Sequence, residues 1–379
     1  MIRRPCPTCP FAAAARLALA WLLAGAAHAA AAQGAAGTAE VAQAASAPGY
    51  RAPTETPAAH QGPAARAPLL AVARAGQRMV AAGLRGRIVF SDDAGQTWTQ
   101  AQVPVETDLV AIHFATPTHG FAVGHRGVVL ESNDAGAHWV RRFAGQQLNE
   151  VAQRFYQAQN PTPDSAAAKA LAGASRAIEQ DSVPSLLDVW FESERSGTLV
   201  GTFNTIFRTE DGGRTWVPCM ERTDNPEELH FYAVRGGPGG VFLAGERGGV
   251  WRLDASSSRW LAVPTGYGGT LFGLLVDGPR VLAYGMRGSL LASDDAGRQW
   301  RTIATPRKVG LVAGVKLRGG ELLLADQAGG WLRSRDGGRS FAAVDAKAHT
   351  VSFALAEGAA GELVSAGPGG VAVLPDLVR

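Results

Sequence analysis

The sequence predicts an all-β fold, a seven-bladed β-propeller, and three observations predict it. Glycine is over-used: 47 of 379 residues, about 12% against a typical ~7%, in a chain otherwise of globular composition, 46% hydrophobic and 18% charged. A Gly and an aromatic recur 15 residues apart at Gly83 to Trp98, Gly124 to Trp139, Gly201 to Trp216, Gly245 to Trp260 and Gly285 to Trp300, and Asp326 to Phe341 keeps the spacing. The aromatics fall 41, 77, 44, 40 and 41 residues apart, the interval of 77 being one period plus an insertion of 36. Gly367 opens a seventh unit, whose aromatic would lie beyond Arg379, so this unit is expected to lack its last strand. Self-similarity at about 41 residues, with four short strands per unit, marks a propeller.

Residues 1–29 read as an export signal, with Arg3, Arg4 and Arg16 supplying charge, Leu17 to Ala27 an apolar run and Ala27-His28-Ala29 a cleavage site. The run falls short of the ~20 apolar residues a membrane span needs. Export predicts a periplasmic or secreted protein. Cleavage would leave 33 basic and 33 acidic residues, which removes the compositional case for nucleic-acid or anionic-lipid binding. It would also remove Cys6 and Cys9 and leave Cys219 alone, so no internal disulfide could form. Residues 30–66, rich in Ala, Pro, Gly, Gln and Thr, bury too little apolar surface to offset ordering entropy and read as a flexible linker. The propeller then occupies 67–379.

Within each unit the strands can be read in order as a, b, c and d. In the second unit, Leu109 to Phe114, Gly120 to Gly124, Val128 to Ser132 and Trp139 to Arg142 are the four. The turn joining c to d carries the most specific motif, S/T-x-D-x-G-x-x-W/F, at Ser91 to Trp98, Ser132 to Trp139, Thr209 to Trp216, Ser293 to Trp300 and Ser334 to Phe341. Its carboxylates are Asp93, Asp134, Asp211, Asp295 and Asp336. An Asp there can accept backbone N–H groups, the Gly permits φ > 0, and the aromatic is expected to pack across the hairpin. The fourth unit, Leu253 to Trp260, keeps only the aromatic, so truncating Trp260 is expected to cost less than truncating Trp216. The missing last strand of unit seven could come from residues 51–60, although Pro53 and Pro57 make a poor strand there, and otherwise the final blade has three strands.

These turns match the Asp-box (BNR) repeat, and seven such units resemble the photosystem II stability and assembly factor family of exported propellers. The resemblance spans roughly 67 to 379 and departs at the fourth turn, the truncated last unit and the insertion. It implies structural Asp-box carboxylates and a role in assembling or stabilising a membrane complex through a protein partner. Asp boxes also occur in sialidases and lectin-like propellers, so glycan binding or glycoside hydrolysis is the competing expectation.

Two features stand outside the structural repeat. The b to c turns read Gly83-Leu84-Arg85-Gly86, Gly124-His125-Arg126-Gly127, Gly245-Glu246-Arg247-Gly248 and Gly285-Met286-Arg287-Gly288. Arg85, Arg126, Arg247 and Arg287 would thus line one opening and could grip partner carboxylates, or simply pair with acids such as Glu246. The insertion, near 145–184 between blades two and three, reads as a helical hairpin. Leu148, Val151 and Phe155 share one face, Pro161 and Pro163 break the run, and Asp164 or Ser165 caps the second helix. It should rise on the arginine face.

Beyond the expected cleavage site, which would remove the Cys6-x-x-Cys9 pair, no metal-ligand spacing, nucleophile elbow or phosphate loop is present. No catalytic residue and no cofactor is therefore expected, and His113 and His230 are expected inside strands a. A sialidase-like site would draw on the arginines, Tyr232 and Glu228, but the Phe-Arg-Ile-Pro motif of that family is missing. The expected protein is a monomeric, non-catalytic partner-binding propeller.

Overall fold

The computed structural model describes residues 51–60, 62–344 and 351–378. The expected export signal and most of the expected linker lie outside them. Among the described residues there are seven antiparallel sheets, six of four strands and one of three. Blade one is Leu69–Ala75, Arg78–Gly83, Ile88–Ser91 and Thr99–Gln100; blade two Leu109–Phe114, Gly120–Gly124, Val129–Ser132 and Val140–Phe143; blade three Leu186–Phe191, Gly197–Gly201, Ile206–Thr209 and Val217–Pro218. Blade four is Phe231–Gly237, Gly240–Gly245, Val250–Asp254 and Arg259–Val263; blade five Leu271–Asp277, Arg280–Gly285, Leu290–Ser293 and Arg301–Thr302. Blade six is Leu311–Lys316, Leu322–Asp326, Trp331–Ser334 and Ala342–Val344, and blade seven Ala354–Glu357, Leu363–Gly367 and Gly370–Val373. Each first strand packs on the next around the ring, and that of blade seven packs on that of blade one, closing a seven-bladed propeller.

Burial explains why the blades need each other. The buried apolar residues form seven clusters, and each lies between two neighbouring blades. A blade alone has two apolar faces and no interior, so the ring buries what a single sheet would expose. The repeated aromatic contributes here as well as to its own turn, where the Trp98, Trp139 and Trp300 indoles donate to the Gly95, Gly136 and Gly297 carbonyls (3.0, 2.9 and 3.1 Å). Trp139 joins the cluster with blade one, Trp216 that with blade two, Trp260 that with blade three, and Phe341 that with blade five. Trp260, expected to matter less than Trp216, is 0% exposed against 4% for Trp216. The fourth turn also keeps a carboxylate: Asp254 accepts from the Ser256 hydroxyl at 2.7 Å and the Ser257 amide at 3.1 Å.

Of the two expectations for the seventh blade, the three-stranded one holds. Residues 51–60 do not complete it; they lie against the far side of blade one, where Ala58 donates to Val103 O (3.0 Å) and Ala59 O accepts from Gln100 Nε2 (3.0 Å). The blade keeps three strands. Leu374 and Leu377, just past its last strand, fill the place between blades six and seven that an Asp-box aromatic would occupy. Leu374 N–H donates to Leu363 O (2.8 Å), and Arg333 Nη2 donates to Leu377 O (2.6 Å).

The insertion is a helical hairpin of α1 (Gln147–Ala158) and α2 (Ala166–Glu179), and Ser165 caps α2 by accepting from Ala168 N–H (3.1 Å). The fully buried line on α1 is Leu148, Ala152 and Tyr156, one residue round from the expected face, with Val151 and Phe155 at its margin. The Tyr156 hydroxyl donates to Glu221 Oε2 (2.6 Å) and accepts from Met220 N–H (3.2 Å), fastening the hairpin to the connection leaving blade three. Cys219 beside it is a free, buried thiol. No described helix is long and apolar enough to cross a membrane.

Candidate functional site

In an antiparallel four-stranded blade, the a–b and c–d turns share one face and the b–c turns and d-to-a connections share the other. Hydrogen bonds tie the second pair together. The amide after the b-strand glycine donates to the residue before strand a: Leu84 to Pro68 (3.2 Å), His125 to Asp108 (3.0 Å), Thr202 to Ser185 (3.0 Å), Glu246 to His230 (3.3 Å) and Met286 to Thr270 (2.9 Å). This close approach is why glycine stands there: a Cβ on Gly124 would lie 2.0 Å from Asp108 O. All four repeated arginines therefore sit on one face. The helical hairpin rises from the same face, with Gly127 N–H donating to Pro184 O (2.8 Å) and Gly145 N–H to Arg126 O (2.8 Å).

The four arginines are exposed and share a left-handed backbone, with φ of 57°, 57°, 52° and 56° at Arg85, Arg126, Arg247 and Arg287. They are not equivalent in their partners. Arg85 Nε donates to Glu106 Oε1 (2.9 Å), and Arg247 pairs with Glu227. Glu246 pairs with no arginine; it accepts the His230 N–H (2.8 Å). The guanidiniums of Arg126 and Arg287 make no hydrogen bond or ion pair among the described residues. Blade three places Phe203 at the arginine position, with φ of 54° and 66% exposure, its ring edge-on to His230 at 4.6 Å. Phe203 breaks the repeated arginine motif and is marked in the sequence only by the Gly-x-x frame of the turn. His230 lies just before its strand and is half-buried, not interior. At the blade-six position Asp326 replaces the glycine. Against the cost of burial, Arg307 and the Gly330 and Ala328 amides hold its carboxyl below the usual range.

On the other face, all five Asp-box carboxylates are engaged within their turns. Asp93 accepts from the Ser91 hydroxyl (2.8 Å) and Thr97 N–H (2.8 Å), Asp211 from Thr209 (2.8 Å) and Thr215 N–H (2.9 Å), and Asp336 from Ser334 (2.7 Å) and Ser340 N–H (3.0 Å). Asp134 and Asp295 repeat the pattern with Ser132 and Ser293 at 2.8 Å. The Thr97 hydroxyl and amide draw Asp93 down to about 2. Each motif glycine faces the preceding blade, where a Cβ on Gly213 would come 2.4 Å from Phe121 Cζ and one on Gly297 2.6 Å from Phe242 Cε1.

A third polar group lies deeper in the hub, on the first strands of blades two to four. Asp188, 5% exposed, pairs with Arg235 and accepts from Val234 N–H (2.8 Å). His113 lies 4.5 Å from the Trp190 ring, and burial, then the Arg235 charge, lowers it to about 3, so its imidazole is neutral. No group of three or more His, Cys, Asp or Glu among the described residues could hold a metal ion.

A family model described as Photosynthesis system II assembly factor YCF48 matches residues 73–159, blade one through α1. The resemblance to the photosystem II assembly factor propellers therefore holds. No curated protein matches the chain. Similar solved structures include YCF48 bound to D1 peptide, at 18% identity and TM-score 0.58 over 83% of this chain and 97% of that one. YCF48 from Cyanidioschyzon merolae aligns at 14% identity and TM-score 0.58 over 81% of this chain and 95% of that one. A streptogramin B lyase structure aligns at 10% identity and TM-score 0.61 over 81% and 93%. At such identities the structures establish the fold alone, and the fold serves binders and a lyase alike.

Proposed function

We propose that this chain is an exported, non-catalytic propeller that binds a protein partner through its arginine face and acts as an assembly or stability factor for a membrane or envelope complex. The observation that carries the reading is the exposed, unpaired state of Arg126 and Arg287 at equivalent turns. Two guanidiniums already neutralised, at Arg85 and Arg247, have less to offer a partner carboxylate. The family match over blades one and two supports an assembly role, and YCF48 bound to D1 peptide is a structural relative that engages a protein segment.

The test is affinity capture from detergent-solubilised envelopes with the purified chain, comparing the native protein with Arg126→Glu/Arg287→Glu. A membrane-complex subunit recovered by the first and lost by the second is expected. Equal recovery by both would overturn the arginine reading, and turnover of a sialoside or other glycoside by the purified chain would overturn the non-catalytic one.

A further inference from the structure

On the arginine face, the mouth of the hub is ringed by seven side chains that no core cluster contains. In blades one to six each is the second residue of a first strand, Leu70, Val110, Leu187, Tyr232, Phe272 and Val312, and in blade seven Phe353, just before Ala354–Glu357, takes that place. In blades one to six the pairing register slips at this residue, as between Leu69 and Ala71 and between Phe231 and Ala233. The residue before it packs on the preceding blade, as Leu69, Leu109 and Leu186 do, and the residue after it on the following blade, as Ala71, Ala111 and Ala233 do. The bulged residue belongs to neither; a bulge re-aims its side chain. All seven are more exposed than the residue before them, and Phe353 reaches 37%. Tyr232 and Phe272 meet edge to face at 5.8 Å. Three residues further along these strands, Trp190, His113 and Arg235 lie on the hub wall, about 10 Å deeper at ~3.3 Å per residue.

Seven half-buried or exposed apolar side chains, six of them at a repeated backbone irregularity, make a patch of the kind that marks a binding site. The charges around it are unequal. Among the described residues Arg126 on blade two is unpaired, and so are Arg287 and Lys308, whose turns touch: a Cβ on Gly288 would lie 3.2 Å from Lys308 Cα. The exposed acids Asp224, Glu227 and Glu228 gather instead on the connection into blade four, where Arg247 answers one of them.

We propose that the hub mouth is a socket for one large apolar side chain of an acidic segment in the partner protein, with the segment's carboxylates lying toward Arg126 and toward Arg287 and Lys308. This rests on the arginine-face reading above and adds what that face selects. The arginines, one strand further out from the hub, meet charges flanking the anchor. The edge-to-face Tyr232–Phe272 pair favours an aromatic or large aliphatic anchor.

The test is selection of a random peptide-display library on the full chain, followed by fluorescence anisotropy of the selected peptides against native protein, Phe272→Ser/Phe353→Ser and Arg126→Glu/Arg287→Glu. The ring residues lie outside every core cluster, so the first variant is expected to keep its thermal midpoint. A variant that lost it would be replaced by Leu70→Ser/Val312→Ser. Peptides combining acidic residues with one large apolar residue, weakened at least tenfold by either variant, are expected. Acidic peptides without an apolar preference, unaffected by the serine variants, would overturn the socket and leave the arginine face standing. Peptides insensitive to the arginine variant, or no enrichment at all, would overturn both.

Discussion

On the face that carries the Asp boxes, all five repeated carboxylates accept hydrogen bonds from their own turns; on the opposite face, two of four repeated arginines leave their guanidiniums unused. Both features recur in register, so recurrence alone does not separate architecture from recognition. Backbone strain does not separate them either, because Ala94, Ala135 and Ala296 in the Asp boxes share the left-handed φ of the arginines, near 58°. What differs is whether the polar atoms are consumed locally. Each Asp-box carboxylate has at least one oxygen engaged by hydroxyl and amide donors of its own turn, whereas Arg126 and Arg287 keep their donors in water, ready for exchange. The comparison teaches that a repeated residue serves the fold when its turn uses it up.

The largest effect expected from this contrast lies on the Asp-box side. Trp260→Ala removes a fully buried indole from between blades three and four and should cost about 3–5 kcal/mol. Trp98→Ala, at the half-buried indole against blade seven, should cost clearly less. Urea unfolding of the two variants decides it, and equal losses would mean that the aromatics serve their own hairpins.

The arginine side should answer with affinity and not stability. Arg126→Gly/Arg287→Gly removes both free guanidiniums and places at φ near 57° the residue best suited to that backbone. Partner affinity should fall at least tenfold, about 1.4 kcal/mol, while the unfolding midpoint holds or rises. A drop in stability with affinity intact would reverse the assignment of the two faces.

Acid provides a third probe, since the Asp-box carboxylates titrate in the acid range and the repeated arginines do not. Asp93 falls to about 2 chiefly through Thr97, and Asp211, against the cost of its burial, falls to about 2 through Thr215 and Thr209. Folded values below the unfolded ~3.9 mean that these bonds contribute fully above pH 4, and the contribution is lost as pH falls toward 2. The thermal midpoint should therefore drop between pH 4 and 2, and drop less steeply in Asp93→Asn/Asp211→Asn, whose amides do not titrate. Parallel slopes would place the acid sensitivity elsewhere.

The blade count, the Asp boxes and the position of the helical insertion were legible because they are written along the chain, as a period of about 41 residues broken once. What joins distant parts of the chain was not. The 15-residue spacing located Trp260 but not its packing on blade three, since the partner residues Val200 and Ile206 lie some sixty residues back. The buried face of α1 was missed by one position because Tyr156 meets Glu221, 65 residues on. Closure by Leu374 and Leu377 carries no repeat signal at all, and the bulge ring is silent in sequence because Leu70, Val110 and Val312 read as ordinary strand residues. Of the candidate site, the four arginines were visible, but which two were free depended on Glu106 and Glu227, which lie on connections of irregular sequence.

The smallest effect tests strain within the Asp boxes themselves. The residue before the motif glycine adopts φ of 58°, 59° and 58° where it is Ala94, Ala135 and Ala296, and 74° and 69° where it is Gly212 and Gly337. An L-residue there costs about 1–2 kcal/mol, of which the extra freedom of glycine in the unfolded chain returns about 0.5–1 kcal/mol. Ala296→Gly should thus stabilise slightly, by less than about 1 kcal/mol, and Gly337→Ala should destabilise by a similar amount. Chemical denaturation of both single variants measures the pair, and changes of the same sign would show that the five turns, alike in sequence and hydrogen bonding, are not alike in backbone energy.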